Sequence, residues 1–202
     1  MSEATPAAAQ AEPPAKPTQL HMLWPTGVLP PPPAPVLPPG YILRLYRDED
    51  LNGYLELMHL AGFTHADARF VEGMLERVLP RGFFLAVHQE TGVLAASAMA
   101  THCPMPMHPF GGELGWVAGH PGHAGKGLGL VVCAAALRRF LDAGYERIYL
   151  KTDDWRLPAL RTYLKLGFEP FLFQAGMAER WKKIGTVTYF CPNSAARMTE
   201  TT

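Results

Sequence analysis

A chain of 202 residues carries 18 Lys plus Arg against 18 Asp plus Glu, so its formal charge is zero at pH 7. Nothing in that balance suggests a general nucleic-acid or membrane surface, and no run approaches the roughly 18 apolar residues of a membrane span. Three cysteines (Cys103, Cys133, Cys191), odd in number and far apart, argue against a disulfide framework, and without a secretory leader the expected location is the cytoplasm.

Composition divides the chain. Of its 20 prolines, 12 lie at or before Pro39. Residues 1–19 are rich in Ala, Pro and Gln and are expected to stay disordered, because they bury too little to offset chain entropy. The Pro30 to Pro33 run, with Pro35, Pro38 and Pro39, favours extended polyproline II, as a linker or as a ligand for a proline-binding module. Between them, Leu20-His21-Met22-Leu23-Trp24 is oddly apolar for a free tail and suggests docking on the domain. The expected organisation is a Pro-rich disordered extension over 1–40, one domain over 41–192 and a flexible tail over 193–202.

Within the domain, Ile42 to Tyr46 alternates as a strand. Residues 47–50 offer helix caps, and Leu51, Tyr54, Leu55 and Met58 form one apolar stripe that Gly62 ends. Thr64 is the expected cap of a second helix bearing Phe70, Val71, Met74, Leu75 and Val78, with Pro80 as its stop. Phe83–Val87 and Val93–Ala100 form a hairpin around Gln89-Glu90-Thr91-Gly92. The small residues of its second arm (Ala95, Ala96, Ser97, Ala98, Ala100) predict close packing by a helix or by a ligand. A strand over Glu113–Val117, a helix over Leu128–Ala143, a strand over Ile148–Leu150, a helix over Leu157–Leu166 and a strand over Glu169–Phe173 follow. Met177–Ile184 reads as helix and Thr186–Phe190 as a last strand.

The stretch from Val117 to Gly129 is strand, loop and helix start. Glycines at 125, 127 and 129 permit positive φ and bring backbone amides close to a ligand. A helix start adds unsatisfied N–H groups, so a phosphate or pyrophosphate is the natural occupant. Two familiar phosphate loops fail. The dinucleotide fingerprint needs glycine where Leu130 stands, and the P-loop needs Ser or Thr where Gly127 follows Lys126. A tight turn that serves only packing is the other reading of the loop.

Gly125-Lys126-Gly127-Leu128-Gly129 after a strand and His120-Pro121 resembles the acyl-CoA pyrophosphate loop of the GNAT superfamily of N-acetyltransferases. Further on, Ala159 and Leu160-Arg161-Thr162-Tyr163-Leu164-Lys165-Leu166-Gly167-Phe168 resemble that superfamily's Ala-x-x-x-Tyr-x-Lys-Leu-Gly-Phe signature. The resemblance covers about residues 41–175 and implies an α+β fold, a central, mostly antiparallel sheet flanked by helices. It implies acetyl transfer from acetyl-CoA to a small-molecule amine or a peptide N-terminus, by direct attack in a ternary complex. A non-catalytic acyl-CoA-binding or interaction module of the same fold is the alternative.

The resemblance also assigns roles. His123, Ala124, Gly125, Lys126, Gly127, Leu128 and Gly129 would hold the pyrophosphate. A backbone amide near Val117, Ala118 and Gly119 would face the oxyanion. Tyr163 would protonate the leaving thiolate; it otherwise reads as a helix tyrosine packed beside Leu166 and Phe168. Glu113 stands eleven residues before Ala124, the spacing at which histone-type members carry a glutamate base; it otherwise reads as a solvated glutamate at a strand start. Two departures stand out. Ala124 replaces the usual Arg or Gln, and Arg156 replaces an Asn that contacts the cofactor, where a cation could reach a phosphate. The His102, Cys103, His108, His120 and His123 spacings match no standard zinc pattern, so no metal is expected, and no Gly-x-Ser-x-Gly elbow marks a hydrolase.

Overall fold

The computed structural model describes residues 18–188. The strands are β1 (Leu20–Trp24), β2 (Tyr41–Leu45), β3 (Val78–His88), β4 (Leu94–His102), β5 (Gly112–Gly119), β6 (Ile148–Thr152) and β7 (Glu169–Phe171). The helices are α1 (Leu51–Leu60), α2 (Ala68–Leu75), α3 (Leu128–Asp142), α4 (Leu157–Lys165) and α5 (Met177–Thr188). The strands form one sheet ordered β2-β3-β4-β5-β6-β1-β7, in which only the β5–β6 pair is parallel. This is the mixed, mostly antiparallel sheet expected from the sequence. One face packs against α3, α4 and α5 and the other against α1 and α2, giving two apolar clusters, one on each side. No described helix is long and apolar enough to cross a membrane.

The expected boundary at Tyr41 is corrected by β1. Leu20–Trp24 pairs antiparallel with β6 on one side and β7 on the other, inside the sheet. Its alternation explains why: Leu20, Met22 and Trp24 enter the α3-side core, while His21 is buried on the opposite face. A composition average over forty residues hides five that alternate. From β1 the chain crosses to β2 at the far edge as a proline strap. Leu29, Pro32, Pro35 and Pro38 are shielded, and Leu37 with them, while Pro30, Pro31, Pro33, Ala34, Val36 and Pro39 are exposed; apart from Leu37 this is the three-residue period of polyproline II. Arg138 Nη1 pins the strap by donating to Pro32 O at 2.7 Å. The disorder expected for residues 1–17 and the tail over 193–202 lie outside the described residues.

Three smaller corrections have local causes. Helix α2 begins three residues later than a Thr64 cap would set it, because Asp67 accepts the Phe70 N–H at 2.8 Å. Pro80 does not stop that helix but sits inside β3, where the β3–β4 register breaks between Val78 and Phe83 and no ladder donor is required. The expected strand over Thr186–Phe190 is helix α5 as far as Thr188, an instance of a helical run overriding β propensity; Tyr189 and Phe190 lie outside the described residues.

Candidate active site

The site begins where the sheet opens. β5 pairs with β6 only at Gly112 with Ile148 and Glu113 with Tyr149. Beyond Glu113 the two strands part, leaving the β5 edge without a ladder partner on that side. On its other side β5 slips register against β4 between Ser97 and Met99. Trp116 takes up the slip with φ of 53°, a conformation rare outside glycine. Ser97 Oγ donates to Trp116 O at 3.2 Å, and Phe63 and Phe70 meet the indole edge-on at 5.8 and 4.8 Å. The bulge is thus held from both sides.

Past the opening, Pro121–His123 makes a 3-10 turn capped by His120, whose Nδ1 accepts the Gly122 N–H at 3.0 Å. Gly125 and Gly127 both stand at φ of 76°. There only glycine is free of Cβ strain, and an added Cβ would meet open space rather than protein. Gly127 caps α3 without any side-chain hydrogen bond. Among the described residues, the amides of Gly125, Lys126, Gly127, Leu128 and Gly129 meet no acceptor. Five consecutive free donors stand at the positive end of a 15-residue helix, where the helix dipole favours negative charge.

These donors line a groove of about 630 Å³ that also receives Val117, Ala118, Gly119, His123, Ala124 and Arg156. All eleven residues expected to bind the cofactor therefore share one cleft. Ala95 and Ala96 of β4 reach it too, but what packs over the small-residue arm is helix α3, whose Val132, Ala136 and Phe140 share one core cluster with Ala96, Ala98 and Ala100. Among the described residues its cations are Lys126, Arg156, Arg161 and Lys165, and no carboxylate lines it. Sequence reasoning passed over Arg161 and Lys165; their i,i+4 spacing on α4, beside the matched Tyr163 motif, was the available signal. His123 Nδ1 lies 2.6 Å from Tyr41 Oη. Burial first, then His120, His88 and Lys126, hold its imidazole below the usual range. Arg156 is less free than a phosphate ligand should be. It pairs with Asp153 at 3.2 Å, and its guanidinium lies over Phe63 and Trp155 at 4.7 and 4.5 Å.

Tyr163 and Glu113 do not share this cleft. Tyr163 is 5 % exposed and meets Phe168 edge-on, while its helix neighbours Ala159 and Thr162 line the groove. Burial pushes its phenol up, opposed by Arg156. Glu113 lies at the point where β5 and β6 part. Its Oε1 is 3.2 Å from Lys151 Nζ and its side chain 16 % exposed, so it is not the solvated strand-start glutamate of the alternative reading.

Residues 40–168 match the family model described as Acetyltransferase (GNAT) family. The chain belongs to that family. It is similar to the mycothiol acetyltransferase of Rhodococcus erythropolis, 31% identical in a 149-residue alignment that covers 67% of this chain and 49% of the relative. The mycothiol acetyltransferase of Segniliparus rotundus is 30% identical in a 147-residue alignment that covers 69% of this chain and 56% of the relative. The chain spans about half the length of these curated relatives. Among solved structures, a GCN5-related N-acetyltransferase from Sphaerobacter thermophilus aligns at a TM-score of 0.62 and 20% identity, covering 77% of this chain and 50% of that one. A tandem GNAT protein from the clavulanic acid biosynthesis pathway aligns at 0.60 and 24%, with 77% and 50% covered. Both show the fold.

In this GNAT domain a buried histidine pair lies beside the opening. His21 Nδ1 and His108 Nε2 are 2.8 Å apart, and Arg147 Nε donates to His108 Nδ1 at 3.3 Å. Arginine has only donors, so His108 carries its proton on Nε2 and gives it to His21. A second proton on either ring would set donor against donor. Burial first, then His21, Arg147 and Lys151, push the His108 imidazole down to about 4. Burial and then Lys151 lower His21 as well, against Glu113. Unfolded imidazoles titrate near 6.5, so between that pH and about 4 the unfolded chain binds more protons. The contribution of this pair to folding stability is therefore complete above about pH 7 and falls as pH drops, by of order 2 kcal/mol at pH 4.5. Urea melts at the two pH values measure it, and His108→Phe is expected to flatten the slope.

Proposed function

We propose that the domain is a cytoplasmic acyltransferase that moves an acetyl group from acetyl-CoA to an amine by direct attack in a ternary complex. One observation carries this reading: among the described residues, a cleft has five unpaired amides, four cations and no carboxylate, in a chain of zero net charge. The pyrophosphate would rest on the amides of residues 125–129, with Lys126, Arg161 and Lys165 supplying the charge that Ala124 does not. The pantetheine amides would pair with the free β5 edge as an added strand, placing the thioester near Val117, Ala118 and Gly119, where a backbone N–H meets the oxyanion.

Attack requires a neutral amine, and one with a pKa near 10 arrives mostly protonated. Glu113 takes that proton in this reading, and Tyr163 returns one to the thiolate. Burial raises the cost of forming a phenolate, so Tyr163 suits the role only if the thiolate is equally desolvated when it forms. The acceptor is a small-molecule amine or a peptide N-terminus. The relatives' name puts mycothiol-related amines first in a screen.

The test is free-thiol release from acetyl-CoA over mycothiol-related amines, polyamines, aminoglycosides, amino acids and peptide N-termini. Turnover with one class supports transfer. Ala124 and the burial of Tyr163 outside the cleft favour a second reading, a domain that binds acyl-CoA without transferring it; heat of binding with no thiol released would establish that one. With an acceptor in hand, Tyr163→Phe is expected to lower kcat about 10-fold or more with CoA affinity retained, and an unchanged kcat would remove Tyr163 from the mechanism.

A further inference from the structure

We propose that Ser97 is a positioning residue for acetyl transfer: by holding the Trp116 carbonyl toward β4, its hydroxyl aims the Val117 N–H at the thioester oxygen. The proposal deepens the reading of the cleft as a transfer site and rests on it. The pairing of β4 with β5 locates the feature. Ser97 faces Ala118 and Met99 faces Gly115, so Ala98 alone stands opposite both Trp116 and Val117, a bulge of one extra residue. Trp116 turns the chain there at φ of 53°. The peptide that joins Trp116 to Val117 thus lies outside the regular ladder, and the ladder does not fix which way it faces.

Ser97 does. It is fully buried, and its Oγ donates to Trp116 O at 3.2 Å. A trans peptide is planar, with its C=O and N–H pointing in opposite directions, and no cis bond occurs among the described residues. With the Trp116 carbonyl drawn toward β4, the Val117 N–H of the same plane points away from β4. On that side β6 has already parted from β5 beyond Glu113, and Val117 lines the cleft. A donor therefore stands at the open edge along which the pantetheine would lie.

A peptide plane can turn about its two flanking Cα atoms while both side chains stay in place. Phe63 and Phe70 clamp the Trp116 indole, but they do not hold this plane. Half a revolution would exchange donor for acceptor. The Trp116 carbonyl would then face the thioester oxygen, and the tetrahedral intermediate would meet repulsion in place of a hydrogen bond. The same turn would take from the buried Ser97 hydroxyl its acceptor, which biases the plane toward the productive side. Tyr54 on α1 is the other polar group beside Ser97, near enough for that hydroxyl to oppose the burial that pushes its phenol up. Its Oη has no partner at hydrogen-bond distance among the described residues, so it does not take the proton that Ser97 gives to Trp116 O. In the reaction the attacking amine pushes the carbonyl π pair onto oxygen, where the Val117 N–H meets it; collapse returns the pair and expels the thiolate. Ser97 itself neither gains nor loses a proton.

The experiment is isotope-edited infrared spectroscopy of acetyl-CoA, labelled with carbon-13 at the carbonyl and bound to the full chain. A hydrogen bond to the carbonyl oxygen lowers its stretching frequency, so Ser97→Ala is expected to raise the band relative to the wild-type complex. Coenzyme A affinity should stay within about twofold, because Ser97 does not line the cleft. With an acceptor in hand, kcat should fall about 10-fold at an unchanged KM for acetyl-CoA, less than the roughly 100-fold of an oxyanion donor lost outright. A band that Ser97→Ala leaves in place, or that Tyr54→Phe raises as much, overturns the proposal. Should the Ala variant not fold, Ser97→Cys keeps the volume with a weaker donor; a raised band then supports the role and an unmoved one overturns it. No acceptor enters the infrared measurement, so its failure with acetyl-CoA bound leaves transfer itself to be judged by thiol release. Absence of binding in calorimetry would remove the reading of the cleft and this proposal with it.

Discussion

Gly127→Val is expected to weaken coenzyme A binding about 100-fold or more while the domain stays folded. Two effects act at this position. Its φ of 76° lies where a β-branched residue is strained, and the new Cβ would project into open space in the cleft. Strain alone costs about 1 to 2 kcal/mol of stability. The side chain would also stand among the free amides and keep a diphosphate from reaching them. Gly144 separates the two effects. It follows α3 at the opposite end, with φ of 75° and equally open surroundings, but it does not line the cleft. Gly144→Val should lose similar stability in thermal melts and still bind coenzyme A in calorimetry. Wild-type affinity in Gly127→Val would show that the loop is a packing turn and not an anion receptor.

Glu113→Gln is expected to lower kcat with the acceptor found by the screen about 100-fold or more, the scale of a lost general base. Coenzyme A affinity should be unchanged, because Glu113 lies outside the cleft. The substitution also strips Lys151 of its partner at 3.2 Å. Lys151→Met on its own therefore serves as the control for the broken ion pair. In the variant, the rate should rise with pH until the amine itself deprotonates in solution, because the protein no longer removes the proton. A kcat within about twofold of wild type across pH 6 to 9 would assign the proton to water instead.

The glycine loop shows why one part of the site was legible and another was not. Residues 117–129 are contiguous, so strand, turn and helix start place their amides together whatever the rest of the chain does. All of the cofactor-binding residues chosen from that run line one cleft. Arg156 also reaches the cleft, but its pairing with Asp153 and its stacking on Phe63 are contacts that no motif announces. Tyr163 fits the family signature letter for letter, yet burial and the ring of Phe168 surround it. A motif names a residue type at a position on a helix. It does not give the direction of the side chain.

The sequence by itself determined the elements whose cause is local: the two helices after β2, the β3–β4 hairpin, the α3 start behind the glycines and the α4 motif. Periodicity and turn chemistry act over a few residues and are readable in order. Tertiary structure alone decided that β1 lies inside the sheet, that the proline strap runs over α3, and that Glu113 meets Lys151 and Tyr149. These depend on partners far apart in the chain, such as His21 with His108 at a separation of 87 residues and Arg138 with Pro32 at 106. Such pairings form only after the chain closes loops of that length, and the residues between carry no record of which pairing the closed core will favour.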